Sequence, residues 1–311
     1  MRILIAIVLL FGFTLGSVAQ YNPLSPPNTF RSADSPIYWQ NRKLSADYWQ
    51  QDVHYRIAAK VDEKTDIITA TMELSYWNNS PDTLTQVFFH LYQNAFQPNS
   101  YHDKNDQASG TKHRFGNYES EGKGTEILSL TVNGNEADQE LDNTILKLIP
   151  STPILPNTKT EFKIQFKTYF DQGTMGRRMK LFNSGEFTHY DGVHWYPRIS
   201  VYDRKFGWTT DQHLGSEFYG DFGTFDVALN FASNYVLDAT GFLINRNKML
   251  PEDLRQKLDI KNFADKPWGE KASIIIPYDS TERKIWIFHA ENVHDFAFTA
   301  DPNYRIGEAE W

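Results

Sequence analysis

Val53-His54-Tyr55-Arg56-Ile57-Ala58-Ala59-Lys60-Val61 places an apolar residue at every second position, with mostly polar residues between. That period of two sets Val53, Tyr55, Ile57, Ala59 and Val61 on one face of a half-buried strand. After a charged turn from Asp62 to Asp66 the rhythm returns at Ile68, Ala70, Met72, Leu74 and Tyr76, so the pair reads as an antiparallel hairpin. Outward from it, Val87/Phe89/Leu91, Leu128/Leu130/Val132, Phe162/Ile164/Phe166 and Phe225/Val227/Leu229/Phe231 repeat the pattern, and Ile274 to Ile276 and Lys284 to His289 close the series. Asn133-Gly134 is a type I′ hairpin signal. Residues 97–125 are polar and Gly-rich and read as a surface loop. Only Pro251 to Leu258 reads as helix, with Pro at its first turn and Glu252 and Asp253 beside the positive helix end. Many short strands and few short helices predict an all-β fold, antiparallel sheets in a sandwich- or saddle-like domain. No internal repeat is visible.

The chain has 311 residues, no cysteine, a net charge of −8 and 15% aromatic residues. Met1-Arg2, the apolar run Ile3 to Leu15 and the small residues of Ser17-Val18-Ala19 form a secretory signal peptide over residues 1–19. The run is too short for a spanning helix, so an exported protein (periplasmic, secreted or cell-surface) with no stable membrane span after cleavage is expected. Pro23, Pro26, Pro27 and Pro36 make residues 20–45 an extended leader; residues 46–304 then form one β domain, and 305–311 begin a link. Without cysteine no disulfide framework holds an exported fold, and an aromatic core must. The basic residues are scattered, which argues against nucleic acid.

No G-x-S-x-G, P-loop or dinucleotide fingerprint is present. His289 and His294 flank Glu291, but a metallopeptidase helix needs its histidines at i and i+4. At i and i+5 they stand about 140° apart around a helix and on opposite faces of a strand. A strand end followed by a polar turn is the better reading. His189 and His194 share that offset, with no further ligands concentrated around them. No metal and no cofactor are therefore expected in this chain. Arg177-Arg178 and Lys180 read as a solvated basic face rather than a phosphate site.

Three blocks carry a family resemblance: Trp195-Tyr196-Pro197-Arg198-Ile199-Ser200-Val201-Tyr202-Asp203; Glu217 to Val227 with Asn234-Tyr235-Val236 and Ala239-Thr240-Gly241; and Phe288 to Phe298 with Ala300-Asp301-Pro302-Asn303-Tyr304. Together they resemble the N-terminal domain of the aminopeptidase N family of zinc metallopeptidases, over roughly Asp47 to Tyr304. The resemblance implies a saddle-like β domain that caps the active-site cleft of an exported enzyme removing N-terminal residues from peptides. It implies zinc held by an H-E-x-x-H helix in a following domain of the same polypeptide. No H-E-x-x-H occurs in these 311 residues, so this chain alone is expected to be inactive, with no catalytic residue of its own. A loop of the family's N-terminal domain, just before the Pro-containing strand, presents a polar side chain to the substrate amine, and an ammonium has only donors to offer. By position the rim candidates are Glu186, His189, Tyr190 and His194, although relatives tend to carry Gln where His194 stands. Trp195-Tyr196, Tyr202 and Trp208 could stack sugars, fill the core or dock against another domain, and the resemblance favours docking. The alternative function is a stand-alone secreted β-sandwich domain that binds a glycan or a protein partner.

Overall fold

Strands β1 (Asp52–Asp62) and β2 (Ile67–Asn78) pair antiparallel, from Asp52 opposite Trp77 to Asp62 opposite Ile67. Their inward residues Val53, Tyr55, Ile57, Ala59 and Val61, and Ile68, Ala70, Met72, Leu74 and Tyr76, are all buried, as the period-two alternation requires. The computed structural model describes residues 47–184, 187–215, 218–267 and 269–307. The expected signal peptide and leader, most of the link and Glu186 lie outside the described residues. All elements below belong to the unit Trp49–Trp311.

Along the chain follow β3 (Val87–His90), β4 (Thr125–Val132), β5 (Asn135–Asp142), β6 (Ile145–Pro150), β7 (Thr158–Tyr169), β8 (Lys180–Ser184) and β9 (Phe187–Gly192). Then come β10 (Arg198–Ile199), β11 (Tyr202–Asp203), β12 (Gly207–Trp208), β13 (Gly223–Ala232), β14 (Val236–Ala239), β15 (Phe242–Leu243), β16 (Arg283–Val293) and β17 (Phe298–Asp301). One eleven-stranded sheet runs β10-β3-β6-β5-β4-β7-β2-β1-β13-β16-β15, a second of four strands runs β14-β17-β9-β8, and β11 and β12 form a small hairpin. Aromatic rings join the two larger sheets: Phe231 of β13 meets Phe298 of β17 edge-on at 5.8 Å and Tyr190 of β9 at 6.2 Å. The fold is thus an all-β sandwich whose named strands pair antiparallel, except that β1 and β13 pair in parallel, Val53 opposite Gly223 to Lys60 opposite Asn230. Alternation of residue types cannot reveal that exception, because both pairings bury alternate residues.

Asn133 and Gly134 both take left-handed backbone conformations, φ 49° and 80°, and turn β4 into β5. A Cβ at Gly134 would meet nothing within 4 Å, so the cost of one is conformational alone. Gly134→Ala is expected to lose about 1 kcal/mol, read as a lower urea midpoint with unchanged slope; an unchanged midpoint would show that the turn tolerates a side chain there.

Three sequence expectations are corrected. Residues 97–125 are not simply a loop: Ser100 caps helix α1 (Tyr101–Ala108) by accepting from the Asp103 N–H, and Asn117–Ser120 form a short α2. Helix α1 escapes an apolar-periodicity test because only His102 and Asp103 of it are buried. Ile274 to Ile276 lie outside any strand, Ile274 being exposed. A short helix α3 (Arg246–Met249) precedes the expected one, which runs Glu252–Leu258 as α4 behind Pro251. Among the described residues no helix is long and apolar enough to cross a membrane.

Candidate functional site

The turn from β9 into β10 is built on His194, a non-glycine residue in the left-handed region (φ 56°). The turn sends Trp195, Tyr196 and Arg198 inward together. Trp195 Nε1 donates to the Phe296 carbonyl at 3.1 Å and Tyr196 Oη donates to Asp295 Oδ1 at 2.7 Å. The Arg198 guanidinium donates to the His294 carbonyl, and the Ile199 N–H donates to Tyr55 Oη at 3.2 Å. Tyr55 stacks on Phe225 at 4.7 Å, and Tyr196 stands edge-on to both. Trp195 and Tyr196 are 0% and 1% exposed. They are core, which corrects the expectation of a docking face; Trp208 is half-buried against Tyr202 and Phe88.

Over this floor lies the segment Phe218 to Phe222. The Arg198 guanidinium carbon sits 4.8 Å from the Phe218 ring centre, a cation–π contact. Gly220 passes so close that a Cβ there would overlap the guanidinium. Phe218 also meets His194 edge-on at 4.2 Å and stacks on His294 at 4.9 Å. Burial, with the nearby His213 and Arg198, pushes the His194 pKa down to about 3; burial pushes His90 down to about 4. The opposite happens to Asp221, whose carboxyl burial pushes up to about 7 against the pull of Arg198.

The rim candidates fall in different places. His189 and Tyr190 point to opposite faces of β9, as successive strand residues must. Tyr190 is fully buried, its hydroxyl donating to Asp66 Oδ1 at 2.5 Å, and burial with that carboxylate raises its pKa. His194 is 6% exposed and walled in by Tyr92, His213 and Phe218. His189 reaches the surface: its Nδ1 lies 3.0 Å from Asp301 Oδ2 and its Nε2 3.1 Å from Asp191 Oδ1. Thr299 donates to the same Asp191 oxygen at 3.0 Å, and Tyr304 stands edge-on to the ring. Of the candidates described, His189 is the one set among polar partners at partial exposure.

His289 lies on β16 with its Nδ1 2.7 Å from Asp226 Oδ1 and its Nε2 3.2 Å from Glu291 Oε1. Those two carboxylates raise its pKa. His54 meets the other Asp226 oxygen at 2.6 Å. Arg177 is no solvated face: it is enclosed and ion-paired to Glu119, whose other oxygen accepts from the Gly116 N–H. Among the described residues no group of three or more His, Asp or Glu could hold a metal ion, and the chain has no cysteine. The sequence reading missed Arg198 and Asp221. For Arg198 the available signal was a charge inside the mostly apolar run from Trp195 to Val201, since a buried charge is kept only with partners.

No family model matches the sequence, and no curated protein matches it. Among solved structures the chain is similar to an M1 zinc metallopeptidase from Deinococcus radiodurans, at 9% identity and a TM-score of 0.40, over 81% of this chain and 42% of that one. It is similar likewise to a two-domain M1 zinc metallopeptidase variant bound to L-tryptophan (10% identity, TM-score 0.40, 81% and 42% covered) and to one bound to L-arginine (9%, 0.41, 81% and 42%). The chain spans less than half the length of each.

Proposed function

We propose that this chain is the non-catalytic N-terminal β domain of an exported zinc metallo-aminopeptidase of the aminopeptidase N family. One observation carries this reading. The three sequence blocks of the resemblance, far apart in the chain, meet at a single point of the fold. Trp195, Tyr196 and Arg198 of the first block bond to Phe296, Asp295 and His294 of the third, and Phe218, Gly220 and Phe225 of the second close over them. A shared pattern that builds one joint is what a shared domain requires.

In this reading the domain caps one side of the cleft and limits it to peptide ends. The β8–β9 hairpin and His189 are its contribution at the rim, where the carboxylates of Asp191 and Asp301 hold the imidazole in place. The residues described here offer no zinc site, so no step of peptide hydrolysis is assigned to them.

The test is to express the polypeptide encoded through any downstream H-E-x-x-H domain and to assay aminoacyl anilides. Zinc-dependent release is expected from the longer chain, none from residues 20–311 alone, and a raised KM with little change in kcat from His189→Ala in the longer chain. Peptidase activity from residues 20–311 would overturn the reading outright, and a coding sequence with no such domain would overturn it in favour of a stand-alone binding domain.

A further inference from the structure

The segment Phe218 to Phe222 is fastened by an unusual set of groups. Phe218 covers Arg198 and wedges between His194 and His294, Gly220 presses on the guanidinium, and Tyr219 Oη donates to Asp203 Oδ2 at 2.8 Å. Two groups beneath or within it are enclosed with an atom lacking a hydrogen-bond partner: His194 Nε2 and Asp221 Oδ2. Arg198, which the segment covers, likewise has no partner for Nη1. A buried carboxylate oxygen without a donor penalises the ionised acid, and a buried ring beside a fixed guanidinium penalises the imidazolium.

We propose that Phe218–Phe222 is a proton-coupled latch over Arg198, whose closed form carries a neutral, protonated Asp221 and a neutral His194. The groups facing Asp221 are Arg198 of β10, Asp203 of β11, Asp52 and Tyr55 of β1, and Tyr76 of β2. Those facing His194 are Arg198, Arg178, His213, His294 and Tyr92.

The two titrations act with opposite signs. Asp221 has a raised pKa when closed, so its contribution to closure is complete below about pH 4, the ordinary carboxylate value, and is lost as pH rises to about 7. His194 has a depressed pKa when closed, so its contribution is complete above about 6.5 and is lost as pH falls toward about 3. Through the span from about pH 4 to pH 6.5 one gain offsets the other. The latch therefore stays shut across a wide range, and each single variant exposes the opposing slope.

The experiment places 4-fluorophenylalanine at position 218 in the full chain and follows the 19F signal and its H2O/D2O shift from pH 4 to pH 8. Wild type is expected to hold one buried signal with a weak pH dependence. Asp221→Asn, fixed in the neutral form, is expected to open about tenfold per unit as pH drops below about 6.5. His194→Asn, which keeps the left-handed turn without the titrating ring, is expected to open as pH rises from about 4 to about 7. Flat, superimposable profiles in all three proteins would overturn the proposal, and so would the same slope in both variants. Should either variant fail to fold, the carboxyl 13C titration of Asp221 in wild type decides: a midpoint near 7 supports the latch, and one near 4 overturns it.

Discussion

Arg198→Ala is expected to lose about 3–5 kcal/mol of stability, the cost of removing one member of a buried charged set. The guanidinium is the joint of three separate chain segments: it donates to the His294 carbonyl, lies under Phe218 and fills the space left by Gly220. Its charge also holds down the pKa of Asp221, so without it that carboxyl stays protonated to higher pH. Methionine there would restore volume without restoring the donor or the charge, and should recover only part of the loss. Lys248→Ala on the exposed face of α3 is the control, expected within about 0.5 kcal/mol of wild type. Urea denaturation reads all three. A loss below 1 kcal/mol for Arg198→Ala would mean that the three segments are held together by their apolar contacts alone.

The difference between Arg198 and Lys248 marks what could be read from the sequence. Strands β1, β2, β7 and β13 were legible because each largely alternates apolar and polar residues and one side of their sheet is solvated, whereas β16 was legible as the apolar run Ile285 to Phe288. The turn at Asn133-Gly134 was legible because few residue pairs accept two positive φ angles in succession. Helix α1 was not, since a surface helix capped by Ser100 and carrying a polar sequence has no apolar stripe to detect. The fate of Trp195 and Tyr196 was ambiguous for another reason: aromatic density marks burial without saying whether the cover is the same domain or a neighbour. What decided it was hydrogen bonding, with the indole N–H and the phenol each paired inside the unit. Of the rim candidates, Tyr190 and His189 are adjacent in sequence and opposite in fate. The register of β9 against β17 separates them, and register depends on a strand more than a hundred residues away.

Phe225→Ala is expected to cost about 3–5 kcal/mol, because the site cannot collapse around the missing ring. Phe225 is fully buried, stacked nearly parallel on Tyr55 with an interplanar angle of 6°, edge-on to Tyr196 at 5.9 Å and 6.1 Å from Phe296. Each neighbour is fixed by its own hydrogen bond or strand: Tyr55 accepts from the Ile199 N–H, Tyr196 donates to Asp295, and the Phe296 carbonyl accepts from Trp195. None can move into the space without breaking that bond, so the cavity term adds to the transfer term. Phe225 also stands where β13 runs parallel to β1, opposite Tyr55, the one parallel pairing in the large sheet. Phe225→Leu keeps most of the volume and the apolar surface, and is expected to lose under about 1.5 kcal/mol. If urea midpoints placed the alanine and leucine variants together, close to wild type, the aromatic stack would be packing that the sheet can replace, and the register of β1 against β13 would rest on its backbone hydrogen bonds alone.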